Sequence, residues 1–407
     1  MRHERLSMAL LLLNRRPLLP FYPEWLPGAE LIVVTARSAV APPSRPVPRE
    51  RFVRLETVDD YASPEVDEVI DRICAGGGIE RVVTCAEIDV LRAARARERH
   101  GLPGQSTASA LAYRDKHRMK VLAARHGIAV APMAPVQDTE GLRSFVAGHG
   151  LPVVVKPADG AGSIGVRVLR DAREVDACAL PADHVWLAER YVDGYLCHVD
   201  GLMAKGTVLH ALASRYLHTN LDTATRGAPS VSGMFGAGDP LGDRLLAATA
   251  RVVAALPAVE EVTAFHAEFF HTPLDALVLC EIACRPGGCG IAEAYARSTG
   301  TGLYEAHVRG QAGLATEVPD PGRRYPRHGW GWFPPRRGTL ARLPDRCPLP
   351  RARSYAASGA PGTRYEGPRS STDSVAELLF RIDGGEPLTA QLQEVDAWWS
   401  REARWAP

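Results

Sequence analysis

The sequence predicts an α/β protein: a doubly wound βα layer at the N-terminal end, then an α+β region in which antiparallel hairpins carry the chemistry. Three observations lead there. The first hundred residues alternate short apolar runs with helical patterns, as a parallel βα layer requires. The stretch VVVKPADGAGSIGVRVL, residues 153–169, sets a glycine loop between two apolar strands. Two further apolar strands, Thr263–His271 and Leu277–Ala283, are joined by a short turn, and each carries one glutamate.

The elements follow in order. Strands are expected at Ala9–Leu13, Leu31–Thr35 and Arg81–Cys85, and helices at about Pro64–Ala75 and Ala86–His100. The first strand runs into Asn14-Arg15-Arg16-Pro17 rather than a glycine fingerprint, so this layer is expected to bind no dinucleotide of its own. Ala41–Pro48 reads as a proline-rich surface loop. A helix over Ala108–His126, closed by Gly127, a strand near Val130–Met133 and a helix near Thr139–Gly148 lead to the glycine hairpin. After it come a helix over Asp171–Ala179, a strand over Val185–Tyr191, and antiparallel strands around Cys197–Met203 and Val208–Tyr216. A long helix covers about Leu241–Leu256, the two acidic strands follow, and Gly287–Gly290 opens a helix at Ile291–Thr299. Beyond about Gly313 the chain is rich in Pro, Gly and Arg until two helical patterns near Ser374–Phe380 and Leu388–Trp399. The expected units are an N-terminal βα domain over 1–107, a central domain over 108–312 with subdomains 108–187 and 188–312, and a C-terminal lobe over 313–407.

Composition narrows the function classes. A chain of 407 residues, 46% apolar, has room for two or three globular domains. A net charge of +1 gives no electrostatic footprint for nucleic acid or an anionic membrane. No apolar run approaches the roughly 20 residues that span a bilayer. Met8–Leu13 follows a basic start but is too short for a signal peptide, and Asn14-Arg15-Arg16-Pro17 stands where a small-residue cleavage site would be. Eight cysteines in a chain of this size form no disulfide framework, and a reducing cytoplasm is the simple inference. Cys280, Cys284 and Cys289 fit no common zinc or iron–sulfur spacing and read as small hydrophobes. The basic residues are almost all arginine; only Lys116, Lys120, Lys156 and Lys205 are lysine. A lysine retained in such a chain points to a place that needs a compact ammonium rather than a planar fork.

The glycine loop carries the first chemical signal. Gly160, Gly162 and Gly165 let the backbone approach an anion closely, and Lys156 adds a positive charge at the strand end. Gly160 to Gly165 matches GxGxxG, but a strand rather than a helix follows, which argues against a dinucleotide fold. A kinase would place its lysine after the loop, and no Gly-Lys-Ser/Thr closes it as in a Walker A motif. A mobile phosphate-covering flap and a plain glycine-rich hairpin remain. The second signal is acidic. His266, Glu268 and Phe270 share one strand face; Leu277, Leu279, Glu281 and Ala283 are expected to share another. Glu268 and Glu281 should then face each other. Two carboxylates ~4 Å apart repel by about 4 kcal/mol at an effective dielectric of 20. A divalent cation such as Mg²⁺, held by both carboxylates and nucleotide phosphates, removes that repulsion; an outward-pointing Glu or an Arg partner is the alternative. Just past the second strand, Arg285 could grip a phosphoryl group or a substrate carboxylate, beside the backbone N–H groups of a helix start. Arg215, His218, Arg226 and Ser230 lie between the strand Val185–Tyr191 and the acidic strands and are candidates for the substrate pocket.

These motifs stand in one order: Asp115-Lys116 with Met119, Val155-Lys156-Pro157 with GAGSIGV, Ala188-Glu189-Arg190-Tyr191-Val192-Asp193-Gly194, His266-Ala267-Glu268, and Glu281-Ile282-Ala283-Cys284-Arg285-Pro286-Gly287-Gly288. In that order they resemble the ATP-grasp superfamily, and within it the carboxylate–amine ligases such as L-amino acid ligases, over about residues 100–310. The βα domain ahead looks like that family's N-terminal domain, and the tail, with Gly331-Trp332-Phe333-Pro334-Pro335 and Gly338, like its C-terminal lobe. The resemblance implies that ATP binds under a flap formed by Gly160, Gly162, Ser163 and Gly165, with Lys116 and Lys156 reaching it. It implies that Glu189, Arg190, Tyr191 and Val192 form the hinge against adenine. Glu268 and Glu281 would hold Mg²⁺, with Mn²⁺ an alternative, and Arg285 would steady an acyl phosphate. The implied reaction is attack of a carboxylate on the γ-phosphate, then displacement of phosphate by an amine, commonly that of a small molecule, or by a carrier-protein thiol. A non-catalytic ATP-binding protein is the alternative outside the class. Ala283 stands where many members have a metal-binding Asn, and Leu196 where many have a ribose-binding Glu; His198 or Asp200 could stand in for the latter.

Overall fold

The computed structural model describes residues 8–40, 45–182 and 184–407. The basic start before Met8 and residues 41–44 of the proline-rich loop lie outside the described residues. Among the described residues the strands form four sheets. The first is parallel, in the order Arg54–Val58, Glu30–Ala36, Ala9–Asn14, Ile79–Thr84. Leu10, Leu11, Leu12 and Leu13 have no exposed surface, and helices cover both faces, as an all-parallel sheet needs. The strand Arg54–Val58 is absent from the expectation because Arg54, Glu56 and Thr57 break its apolar run.

The helix expected over Ala108–His126 is two helices, Thr107–Arg114 and Lys116–Arg125, broken at Asp115. Asp115 is extended there, and its side chain accepts the Arg118 N–H at 2.9 Å, so it caps the second helix. An antiparallel sheet follows in the order Met133–Val136, Trp186–Arg190, Val153–Pro157, Arg167–Leu169. The strand expected at Val130–Met133 begins at Met133, and Val130 makes only an isolated bridge to Leu279. Val153 pairs with Leu169, so the glycine loop does close an antiparallel hairpin.

The largest sheet is antiparallel throughout, in the order Leu277–Ala283, Thr263–His271, Tyr195–Ala204, Thr207–Tyr216, Ser230–Met234, Arg327–Phe333, Ala376–Ile382, Ala352–Ala357. Its last members come from the tail. The expected helix at Ser374–Phe380 is therefore a strand, Ala376–Ile382; Ala376, Leu378, Phe380 and Ile382 alternate toward the core with period two, and Leu379 is buried too. The strand Arg327–Phe333 pairs between Ser230–Met234 and that strand. Helix Leu388–Glu402 packs Trp398 and Trp399 on Phe333, with Trp399 stacked at 4.0 Å. Helix Leu303–Gln311, which the sequence reading lacks, ties the later chain to the parallel sheet. The Gln311 side chain accepts the Thr84 N–H and donates to its carbonyl, and His307 Nε2 lies 2.8 Å from that same carbonyl.

Candidate active site

A cavity of about 570 Å³ lies between the two antiparallel sheets, with the parallel layer at one end. Its lining draws on the glycine hairpin, residues 189–192, both acidic strands, Arg16 and Glu87 of the N-terminal layer, and Ser370–Asp373 of the tail. Three of the four lysines line it. Capping by Asp115 starts a helix whose Lys116 and Lys120 are one turn apart and face the cavity together. Lys120 Nζ donates to Glu189 Oε1 at 2.6 Å, and Lys156 Nζ to Glu189 Oε2 at 2.9 Å. Burial opposes ionisation of Glu189, but the two ammonium groups outweigh it and hold its pKa at about 2. Glu189 thus acts through its side chain as a counter-ion, and Lys120 joins the site although sequence reading singled out Lys116 and Lys156. Lys116 Nζ donates to the Gly160 carbonyl at 2.5 Å and lies 3.2 Å from Glu281 Oε2.

The strand Trp186–Arg190 runs into the segment where a hinge is expected. The N–H groups of Arg190 and Tyr191 donate to the Pro132 and Pro152 carbonyls at 2.9 and 3.1 Å. Val192 lines the cavity, and among the described residues its N–H has no partner. In the flap, Gly162 and Gly165 take φ of +64° and +74°, and Ser163 takes +60°. A Cβ at Gly165 would lie 3.2 Å from the Pro157 ring. The Ser371 N–H donates to the Gly162 carbonyl at 3.0 Å, so the tail closes onto the flap.

Glu268 and Glu281 are directly paired in register, as expected. A bulge beside that pair shifts the parity of the second strand. Leu279 therefore pairs with Phe269 and packs in the core with Ile282, and it lines the cavity together with Cys280 and Glu281; the strict two-residue alternation expected over Leu277, Leu279, Glu281 and Ala283 is interrupted at Cys280. Glu268 Oε1 accepts from Asn220 Nδ2 at 2.8 Å and Tyr216 Oη at 3.3 Å, and lies 3.2 Å from His266 Nε2. His266 Nδ1 lies 2.8 Å from Asp200, which His198 Nδ1 also meets at 2.5 Å; His198 Nε2 lies 2.7 Å from Ser232 Oγ. Burial works against a charged His266, yet Asp200 and Glu268 outweigh it and raise its pKa to about 10. His198, Asp200 and His266 lie close enough to hold a metal, but every ring nitrogen already meets an oxygen. The three form a buried relay under Glu268. His198 and Asp200 do not line the cavity, whereas Leu196 does, so neither stands in as a ribose ligand.

Whether the acidic pair fits a divalent cation is decided by its free oxygens. Among the described residues Glu268 Oε2 and Glu281 Oε1 have no hydrogen-bond or ion-pair partner, and both residues line the cavity. Burial opposes the Glu281 charge, but Lys116 and Lys156 keep its pKa below the usual carboxylate range. Two carboxyl groups, each with a free oxygen on one face, suit a hard, oxygen-seeking cation.

Arg285 also lines the cavity, but its Nε donates to Glu87 Oε2 at 2.6 Å. Arg114 Nη1 donates to Glu87 Oε1 at 2.8 Å. Burial opposes the Glu87 charge, yet Arg285 and Arg114 hold its pKa at about 2. Arg285 Nη1 donates to the Pro286 carbonyl at 3.0 Å, and Nη2 remains without a partner among the described residues. Glu87 gave no local sequence signal, because its partner lies 198 residues away. The substrate-pocket candidates are not lining residues. Arg215 stacks on Tyr195 at 3.8 Å, His218 meets Asp396 at 3.3 Å, Arg226 lies 3.7 Å from Asp222, and Ser230 is buried in the sheet. Tyr216, Thr219, Asn220 and Leu221, from the same segment, line the cavity instead.

With this geometry in place, comparison with known proteins gives the fold. Residues 115–195 match the family model of the carbamoyl-phosphate synthase L chain ATP-binding domain. The L-arginine-specific L-amino acid ligase of Bacillus subtilis is 24% identical over 243 residues, 57% of this chain and 57% of that protein. The match thus spans little more than half the length of that relative. The structure of an L-amino acid ligase from Bacillus licheniformis superposes with a TM-score of 0.73 at 15% identity, over 98% of this chain and 99% of that one. The biotin carboxylase domain of Hydrogenobacter thermophilus 2-oxoglutarate carboxylase, solved with MgADP, ADP and bicarbonate, superposes with a TM-score of 0.66 at 14% identity, over 98% and 90%. The chain has the ATP-grasp fold. Its structural neighbours include complexes with ADP and magnesium.

Proposed function

We propose that this protein is an ATP- and Mg²⁺-dependent ligase that activates a carboxylate as an acyl phosphate and couples it to the amine of an amino acid or similar small molecule, releasing ADP and phosphate. The observation that carries the reading is a single cavity holding the flap, three lysines, a register-paired Glu268 and Glu281, and Arg285. The ligase names of the relatives support it. Glu268 and Glu281 would hold Mg²⁺, which when bound supplies charge neutralisation for the phosphates. The remaining roles belong to the chain. Val192 offers its N–H to the edge of adenine, and Lys116, Lys120 and Lys156 place ammonium groups against phosphate oxygens. The flap, held by Ser371, excludes water from a reactive acyl phosphate. Arg285, steadied by Glu87, turns Nη2 toward charge developing in the transferred group. No protein nucleophile is needed, because phosphoryl transfer rests on positioning and electrostatics. On this reading residues 1–107, 108–312 and 313–407 are N-terminal domain, ATP-grasp domain and C-terminal lobe, and the protein works in the cytoplasm. No helix among the described residues is long and apolar enough to cross a membrane.

The test is ADP release across a panel of carboxylate and amine pairs. At least one pair should release ADP well above the ATP-only rate, and Glu281→Ala should lower that rate at least 100-fold. A panel without ADP release, with ATP affinity unchanged in Glu281→Ala, overturns the reading in favour of a non-catalytic ATP-binding protein.

A further inference from the structure

Asp200 is buried and does not line the cavity. The strand Tyr195–Ala204 that carries it pairs with Thr263–His271, with Asp200 opposite His266 and His198 opposite Glu268. By the two-residue period these four side chains share one face of the sheet. Among the described residues no lysine or arginine lies at ion-pair distance from Asp200; its two oxygens meet two histidines instead. A buried carboxylate kept without a lysine or arginine partner calls for a reason, because burial of a charge is costly.

The reason lies in what Asp200 touches on either side. A carboxylate only accepts, so the Nδ1 groups of His198 and His266 both donate to Asp200, at 2.5 and 2.8 Å. His198 Nε2 is then left to accept the Ser232 hydroxyl at 2.7 Å. With Nδ1 engaged, the His266 ring is fixed in the orientation that sets Nε2 3.2 Å from Glu268 Oε1. Asn220 Nδ2 and Tyr216 Oη donate to that same oxygen. Oε1 is thereby taken, and Oε2 is left free. On its other side Asp200 meets a loop. A Cβ at Gly287 would lie 2.7 Å from Asp200 Oδ1, so the backbone two residues after Arg285 approaches the carboxylate as only a glycine allows. Arg285 and Gly288, from the same loop, line the cavity.

We propose that Asp200 is a positioning residue: through His266 it sets the orientation of Glu268, and against Gly287 it seats the loop that carries Arg285. The proposal rests on the ATP and Mg²⁺ part of the ligase reading and is independent of which acid and amine react. Asp200 touches no substrate. It orients a carboxylate that would hold the cation, and outer partners of that kind change metal affinity by about 10–100-fold when they are removed.

The test is nucleotide binding without turnover. A non-hydrolysable ATP analogue is titrated calorimetrically into the wild type, Asp200→Asn, His266→Gln, the double variant and Gly287→Ala, once with Mg²⁺ and once with EDTA. Mg²⁺ should tighten binding to the wild type. Asp200→Asn and His266→Gln should each lose about 10–100-fold in affinity with Mg²⁺ and less than threefold with EDTA. The double variant should lose no more than threefold beyond the weaker single variant, because the two residues act in series. Gly287→Ala, which presses on Asp200 from the loop side, should show the same Mg²⁺-selective loss, and it decides the matter if Asp200→Asn does not fold. Equal losses with and without Mg²⁺, or losses that add in the double variant, overturn the proposal. So does an unchanged Mg²⁺ dependence in Asp200→Asn, or in Gly287→Ala where the former does not fold, and so does a wild type whose affinity is indifferent to Mg²⁺. A protein that shows the expected binding pattern but releases no ADP with any pair counts against the ligase reading alone.

Discussion

At the scale of single residues, Glu189 illustrates how the site keeps three charges inside the protein. Its carboxylate is buried together with Lys120 and Lys156, and each ammonium takes one oxygen. Removing the anion would leave two buried cations facing each other, and breaking such a pair costs about 3–5 kcal/mol. The sign of the pH dependence follows from the carboxylate. Its pKa in the folded protein is about 2 against an ordinary 4.5, so the stabilisation is complete above about pH 4.5 and is lost as pH falls toward 2. Urea unfolding of the wild type and Glu189→Gln should therefore show a stability gap that is constant near neutrality and closes between pH 4.5 and 2. A gap that stays constant through that range would show that Glu189 is not held ionised by the lysines. Residue chemistry was the most legible layer of the sequence. In a chain that uses arginine almost everywhere, four lysines stood out; Lys116, Lys120 and Lys156 converge on one cavity, whereas Lys205 does not line it. Arg215 and His218 looked equally suitable by type, but their neighbours in the strand and loop turn inward instead.

Elements place those residues, and here the legibility depends on how local the cause is. The strands Thr263–His271 and Leu277–Ala283 have the bounds that the sequence implies, because apolar runs and a short turn define them locally. The bulge beside Glu281 is not legible, because it exists only in the register between two strands. The break at Asp115 was masked by a helical pattern continuous on both sides, although an aspartate that caps three residues ahead was its signal. In the glycine hairpin, positive φ at Gly162 and Gly165 bends the loop back over Pro157. Gly165→Ala puts a Cβ at 3.2 Å from the Pro157 ring with φ at +74°. That substitution should destabilise by about 1 kcal/mol or more and raise KM for ATP several-fold, with a smaller effect on kcat. Thermal denaturation and steady-state kinetics measure both, and an unchanged KM would remove the flap from ATP binding.

Across the whole molecule the site exists because distant segments are braced against one another. Glu87 joins Arg285 across 198 residues, and Gln311 and His307 clasp Thr84, so the N-terminal layer forms one end of the cavity. The tail supplies strands to the largest sheet and sets Ser371 on the flap. None of this was legible locally. The segment Ser374–Phe380 carries apolar residues that fit a helix by themselves, and only pairing with Arg327–Phe333 makes it a strand. On the proposed ligase reading this architecture would bring nucleotide, acid and amine under one lid, and the central claim of that reading is that the acid passes through an acyl phosphate. The most direct measurement is oxygen transfer: the carboxylate substrate of an active pair is labelled with ¹⁸O, and the released inorganic phosphate is analysed by mass spectrometry. The account predicts one ¹⁸O atom per phosphate, transferred from the carboxylate when the amine displaces it, with ADP as the other product. Unlabelled phosphate, or label appearing in AMP, would contradict it.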